Sequence, residues 1–273
     1  MLTINLIDTG LFILTGSCAG FAAGLLGVGG GLIIVPVLYL VFTHQGYDPA
    51  YLMHMALTTS LATIVFTSIS STRAHHRRQA VIWPLVFLLS PGIIVGAWFG
   101  GLFASQIDSR YLINTFAIFE FLVALNLILK KQTAQHAKTI SPVAATFGGF
   151  SIGFVSTIVG IGGGTMTVPF LHWFNISIRK AVATSAACGF PIALVGALSY
   201  IYASYGLNMG HSTVTTSATI GYLHLDALLF IAISSFISAP LGARVAHAIS
   251  EKTLRLSFAI LLFGLSFIMF LNN

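Results

Sequence analysis

Long apolar stretches separated by short polar breaks run the length of this chain, and two of them carry glycine clusters. A first apolar arm, about 6–26, meets GVGGGLIIVP at 27–36, and a short arm follows at about 32–43. Apolar stretches then run near 52–72, 81–104 and 110–130. After a polar, basic interruption the order repeats: arms at about 142–159 and 165–175 around GIGGGTMTVP (160–169), then stretches near 181–205, 223–247 and 253–271. The longer ones reach the roughly 20 residues that a helix needs to cross a bilayer. The pattern predicts an all-α polytopic membrane protein.

The two sets are copies of one unit. Residues 20–38 align with 153–171, with Val28 against Ile161 and Leu32 against Thr165 among the differences; Ala56–Ser60 resembles Ala181–Ser185, and Phe116–Ile118 resembles Phe258–Ile260. The expected organisation is an N-terminal membrane repeat 1–131, a cytoplasmic linker 132–139 and a C-terminal repeat 140–273. Each repeat is expected to hold a Gly-rich re-entrant or broken-helix element plus three transmembrane helices. The Ser- and Thr-rich stretch 206–221 reads as a loop. Internal repeats of this kind are a sign of secondary transporters.

Composition agrees with the pattern. The 273 residues are 56% hydrophobic and 7% charged, against roughly 25% charged in an average soluble domain, so lipid must be the outer solvent. The first ten residues hold no Lys or Arg, which predicts no signal peptide. Cys18 and Cys188 lie in apolar segments and read as packing residues.

The net charge of +6 fixes an orientation rather than a nucleic-acid partner, because no aromatic-interleaved basic surface accompanies it. Placing the Arg73–Arg78 loop inside and alternating sides leaves eleven of the 12 basic residues cytoplasmic, all but Arg110. The first copy then runs from outside to inside and the second from inside to outside, so the repeats are inverted and both termini are external. His75 and His76 lie among arginines that would repel a cation, so no metal and no cofactor is expected.

Two readings of the glycines stay open. As packing residues they let helices approach closely, as Gly96 to Gly100 is expected to do. As tips entering from opposite faces they let a ligand reach the main chain, and the helices starting after Gly31 and Gly164 offer free N–H groups and a positive dipole end to an anion. The expected substrate-binding set is Gly29, Gly30, Gly31, Thr59, Ser60, Gly162, Gly163, Gly164, Thr165, Thr184 and Ser185, with Thr167 adding polarity to the second tip. The hydroxyls of Thr58, Thr59, Ser60, Thr184 and Ser185 either face the site or back-bond within their helices.

The doubled Gly-x-Gly-Gly-Gly-x(4)-Pro stretch, with a Thr-Ser helix after each copy, resembles the TauE/SafE family of sulfite exporter-like membrane carriers over essentially the whole chain. The resemblance implies a bacterial or archaeal inner-membrane permease for sulfur-containing anions such as sulfite, sulfoacetate or related sulfonates. Its motifs identify the scaffold rather than the ligand.

Glu120 stands at the centre of an apolar helix where the second copy has Leu262. A central carboxylate must face the protein interior; it reads either as the proton-coupling candidate or as a structural acid. His224 and Asp226 read as interfacial, and Arg244 as a residue that snorkels to the inner surface. No Walker-type loop or HExxH pair is present, so an enzyme has no visible agents. The expected function is a secondary transporter of a small anion by alternating access, with an anion channel of the same architecture as the alternative. The expected partners are the small-molecule anion and the lipid bilayer, with a homo-oligomer left open.

Overall fold

The computed structural model describes residues 6–27, 29–129, 140–206, 219–245 and 251–271. Val28, the linker 132–139 and most of the 206–221 loop fall outside the described residues. Among those described, helices α1 (Leu6–Leu26), α2 (Gly31–His44), α3 (Leu52–His76), α4 (Trp83–Ala104) and α5 (Ser109–Leu129) make up the first set. The second comprises α6 (Pro142–Val159), α7 (Gly164–Trp173), α8 (Ile178–Gly206), α9 (Leu225–Val245) and α10 (Glu251–Leu271). A small antiparallel hairpin, β1 (Thr219–Ile220) with β2 (Leu223–His224), precedes α9 in the polar stretch expected to be only a loop.

Local chemistry explains the boundaries. Ser141 caps α6 by accepting from the Ala144 N–H at 3.2 Å, Pro142 fills the first helical position, and Gly160 ends the helix at φ 69°. Pro36 and Pro169 are each the sixth residue of their short helix and remove one i→i−4 bond from it.

Six described helices are long and apolar enough to cross a membrane: α1, α3, α4, α6, α8 and α9. Large apolar side chains such as Phe87, Phe99, Phe147 and Ile237 point outward, as lipid-facing residues must. Helix α3 is the most enclosed of the six, with 83% of its apolar window buried against 33% for α9.

The short helices turn back rather than continue across. Gln45 Nε2, just after α2, donates to Asp8 Oδ2 at 2.9 Å, which brings the end of α2 to the start of α1. A Cβ on Gly30 would stand 2.7 Å from Ala19 O, so α2 starts partway along α1. Likewise Gly163 lies near Ser156, while Gly148 faces the Phe170 ring.

Helix pairing follows small residues. Gly16, Gly20 and Gly24 of α1 rest on the α9 backbone at Ile231, Ser235 and Ala239, in the same order along both helices. Gly92, Gly96 and Gly100 of α4 rest in the same way on Thr146, Phe150 and Phe154 of α6. These close parallel seams need residues without side chains at the crossing. Helix α3 crosses α8 in the opposite sense, with Gly189 near Ser68 and Gly196 near Leu61. Helix α5 pairs with α10 through Ser266 Oγ to Ala117 O at 2.9 Å and the Phe121–Phe263 ring contact at 5.2 Å.

Candidate functional site

The candidate site lies where the two glycine turns meet. Gly29 and Gly30 both adopt φ 81°, and Gly163 adopts φ 79°. L-residues rarely hold this left-handed backbone. Gly30 and Gly163 are the N-cap residues of α2 and α7, and neither helix has a side-chain cap. The turns touch: a Cβ on Gly29 would lie 2.8 Å from Gly162 Cα, and one on Gly31 would run into Gly160 O. All six glycines, 29–31 and 162–164, are buried.

The α3 and α8 hydroxyls reach across to the other half of the chain. Ser60 Oγ donates to Gly160 O at 2.9 Å, and Ser185 Oγ donates to Gly27 O at 3.2 Å and to Val182 O at 2.8 Å. Thr59 Oγ1 accepts from the His224 N–H and Thr184 Oγ1 from the Ile82 N–H, both at 3.1 Å. His224 and Ile82 immediately precede α9 and α4, so these threonines anchor two helix starts. Thr58 back-bonds to His54 O at 2.7 Å. The four anchoring hydroxyls thus sit on backbone groups of the opposite half.

Between the turns lies a cavity of about 10 Å³, lined by Gly27, Gly29 and Gly162 and by Thr67, Ser68 and Ser71 of α3. That is room for about one water. Thr67 Oγ1 shares a hydrogen bond with Ser235 Oγ at 2.7 Å, and Ser68 Oγ donates to Val65 O at 2.9 Å. Ser71 Oγ is buried without a hydrogen-bond partner among the described residues. Sequence reasoning passed over these three; their signal was a polar stripe at helical spacing in an otherwise apolar segment. Thr165 Oγ1 and Thr167 Oγ1, on the first turn of α7, are also buried without a partner among the described residues.

Glu120 stands apart from this cavity. It is fully buried on α5, and neither carboxylate oxygen has a partner among the described residues. Arg244 is exposed at the end of α9. His224 is buried rather than interfacial: its ring stacks on Phe42 at 4.9 Å, and Nδ1 accepts from the Ala227 N–H at 3.2 Å, capping α9. Burial holds this imidazole below its ordinary pKa of 6.5, while Asp226 and Asp8 pull the other way. An accepting Nδ1 is an unprotonated one, in agreement with that direction.

The sequence matches known proteins over nearly its whole length. Residues 12–269 match the family described as Sulfite exporter TauE/SafE. The chain belongs to the TauE/SafE family. A relative from Haemophilus influenzae is 36% identical over 263 residues, covering 96% of this chain and 98% of its own length. Another from Methanocaldococcus jannaschii is 29% identical, covering 92% and 91%; one from Bacillus subtilis is 28% identical, covering 92% and 93%. The names of all three begin "Probable membrane transporter protein". No solved structure matches the chain. Within this TauE/SafE chain the glycine turns fall inside the matched residues, as do Ser60 and Ser185.

Proposed function

We propose that this membrane transporter carries a small sulfur-containing anion, such as sulfite, sulfoacetate or a related sulfonate, across the inner membrane by alternating access. The observation that carries the reading is the contact of two glycine turns at Gly29 and Gly162, each fastened by a serine of the opposite half. The helices that begin at Gly31 and Gly164 turn their positive ends toward this contact, and an anion can be held there by backbone N–H groups without a lysine or arginine. Gly29–Gly31, Gly162–Gly164 and Thr165 hold the ligand in this scheme, with Thr59, Ser60, Thr184 and Ser185 bracing the turns.

The two halves act as inverted repeats that rock about this point, with both termini external. The reading is supported by the parallel pairing of α1 with α9 and of α4 with α6, together with the antiparallel crossing of α3 and α8. With α4 reversing after α3 and α9 after α8, these pairings favour opposite senses for α1 and α6. The cavity, with room for about one water, must widen to admit an anion. Glu120 supplies the proton-coupling group.

The test is uptake into proteoliposomes of sulfite, sulfate, thiosulfate, sulfoacetate and small carboxylates, with and without a pH gradient. Uphill accumulation of a sulfur anion driven by the gradient is the expected result. Movement only down the anion's own gradient would make the protein a channel, and no movement of any sulfur anion would remove the substrate class.

A further inference from the structure

The two glycine turns differ in one respect. At the second turn, Ser156 Oγ and Thr167 Oγ1 lie 3.5 and 3.4 Å from the position a Cβ on Gly163 would occupy. Both side chains are fully buried, and neither hydroxyl has a hydrogen-bond partner among the described residues. Thr165, on the same first turn of α7, has a buried and equally unpartnered hydroxyl. This departs from the habit of the chain. Thr15, Thr43, Thr58, Ser90, Thr115 and Thr146 all return their hydroxyl to the carbonyl four residues earlier. Hydroxyls that decline this bond in a buried place carry a desolvation cost unless something else receives them.

At the first turn the corresponding positions, 133 residues earlier in the aligned stretch, are Ala23, Leu32 and Ile34. That side is apolar where the second is hydroxylated. The backbone offers donors at the second turn as it does at the first: the Met166 and Thr167 N–H groups bond back to Gly163 O at 3.0 and 2.7 Å, as Ile33 and Ile34 do to Gly30 O, and the Gly164 and Thr165 N–H groups come before them at the open start of the helix. These groups are donors, and the helix start carries positive dipole charge. No acidic residue occurs anywhere on α6, α7 or α8, so a metal cation would find no counter-charge.

We propose that the oxyanion seat lies on the second half alone, in a nest formed by Ser156, Thr165 and Thr167 around Gly163, with the first turn serving as its apolar wall. The proposal rests on the anion-carrier reading and narrows it to one side of the contact. Ile192 Cδ1 covers the nest, since a Cβ on Gly163 would run into it. Ile192 follows Pro191, which interrupts the α8 hydrogen-bond ladder at that level. Binding therefore requires the Ile192 side chain to move aside.

The experiment measures binding to the purified full-length protein in detergent, by titration calorimetry and ligand-induced thermal stabilisation. The probes are sulfite, sulfate, thiosulfate, sulfoacetate, phosphate and acetate, each as sodium and as potassium salt. Ser156→Ala and Thr167→Val should each weaken the bound anion about tenfold or more, one lost charge-assisted hydrogen bond apiece. Thr167→Ser, which keeps the hydroxyl, should restore most of the affinity and separates lost binding from misfolding. Thr146→Val, exposed on α6, should bind as the unmodified protein does. Unchanged sulfite binding in both nest variants overturns the nest and leaves the carrier reading standing. Loss of binding for phosphate or acetate with no sulfur anion bound supports the nest and removes the sulfur substrate. Absence of binding by any probe overturns both, and stabilisation by sodium alone that vanishes in Thr167→Val would make the nest a cation site and overturn the proposal.

Discussion

The Ser60 hydroxyl on α3 donates to the Gly160 carbonyl 2.9 Å away, at the turn contributed by the other half of the chain. Ser185 on α8 returns the contact by donating to Gly27 O. The two bonds join residues 100 and 158 positions apart, so each fastens a turn that local sequence cannot hold.

Removing either hydroxyl leaves a buried carbonyl short of a donor. Ser60→Ala and Ser185→Ala are each expected to cost about 1–3 kcal/mol of stability, read as a lower thermal midpoint of the purified protein in detergent. An unchanged midpoint in both variants would show that the turns are held by packing alone.

The Gln45–Asp8 contact makes a topological statement that cross-linking can check. In a background with Cys18 and Cys188 replaced, Asp8→Cys with Gln45→Cys should be joined efficiently by a short bifunctional maleimide. A continuous crossing of α2 would separate the pair by roughly a bilayer core of ~30 Å and give no product.

The proposed sidedness can be checked across α3. Its 25 residues span about 37 Å as helix, with Asp48 beyond one end and Arg77 at the other, both exposed. Cysteine at position 77 should label only from the cytoplasm, and cysteine at position 48 only from outside. Labelling of both from one side would show that α3 does not cross and would end the proposed alternation of sides.

Acid should weaken the protein through His224. Its folded pKa lies below the unfolded 6.5, so the folded state resists a proton that the unfolded chain accepts. The stability is then complete above that value and lost as the pH falls through the folded value. His224→Asn keeps a capping acceptor for the Ala227 N–H but cannot titrate. The variant should show a shallower loss of thermal midpoint between pH 7 and the acid limit, and an identical slope would acquit His224.

In the proposed function, coupling falls to Glu120. Glu120→Gln preserves shape and removes the titrating group, so uptake driven by a pH gradient should cease while anion binding in detergent persists. Uptake that retains its dependence on the gradient would make the residue structural.

Much of the architecture was legible in the residues. The arm read at 142–159 is the observed α6, and the stretch read at 81–104 is α4 shortened by two residues, because Pro84 near its start fixes where helix can begin. Apolar runs closed by Gly or Pro announce their own ends. The β hairpin at 219–224 was not legible, since two residues per strand offer no alternation to read. The glycine turns could be located, but not the hydroxyls around them. Thr59 and Thr184 read as ligand groups because they recur in both copies, yet the recurrence also serves a shared structural task at His224 and Ile82. Ser71 and Ser156 gave no such recurrence, their counterparts being Gly196 and Ala23, and only three dimensions set them beside the turns.

The exchange of serines has a consequence for how such a chain can be divided. Gly27 is held by a residue of the second half, and Gly160 by one of the first. Cut at the linker, each fragment would present a glycine hairpin with no latch and a latch with no hairpin. With the halves inverted as proposed, the pieces could complete one another only by coming together in opposite orientation within the same bilayer. The covalent join would then guarantee the stoichiometry that the proposed inversion demands: one copy facing each way.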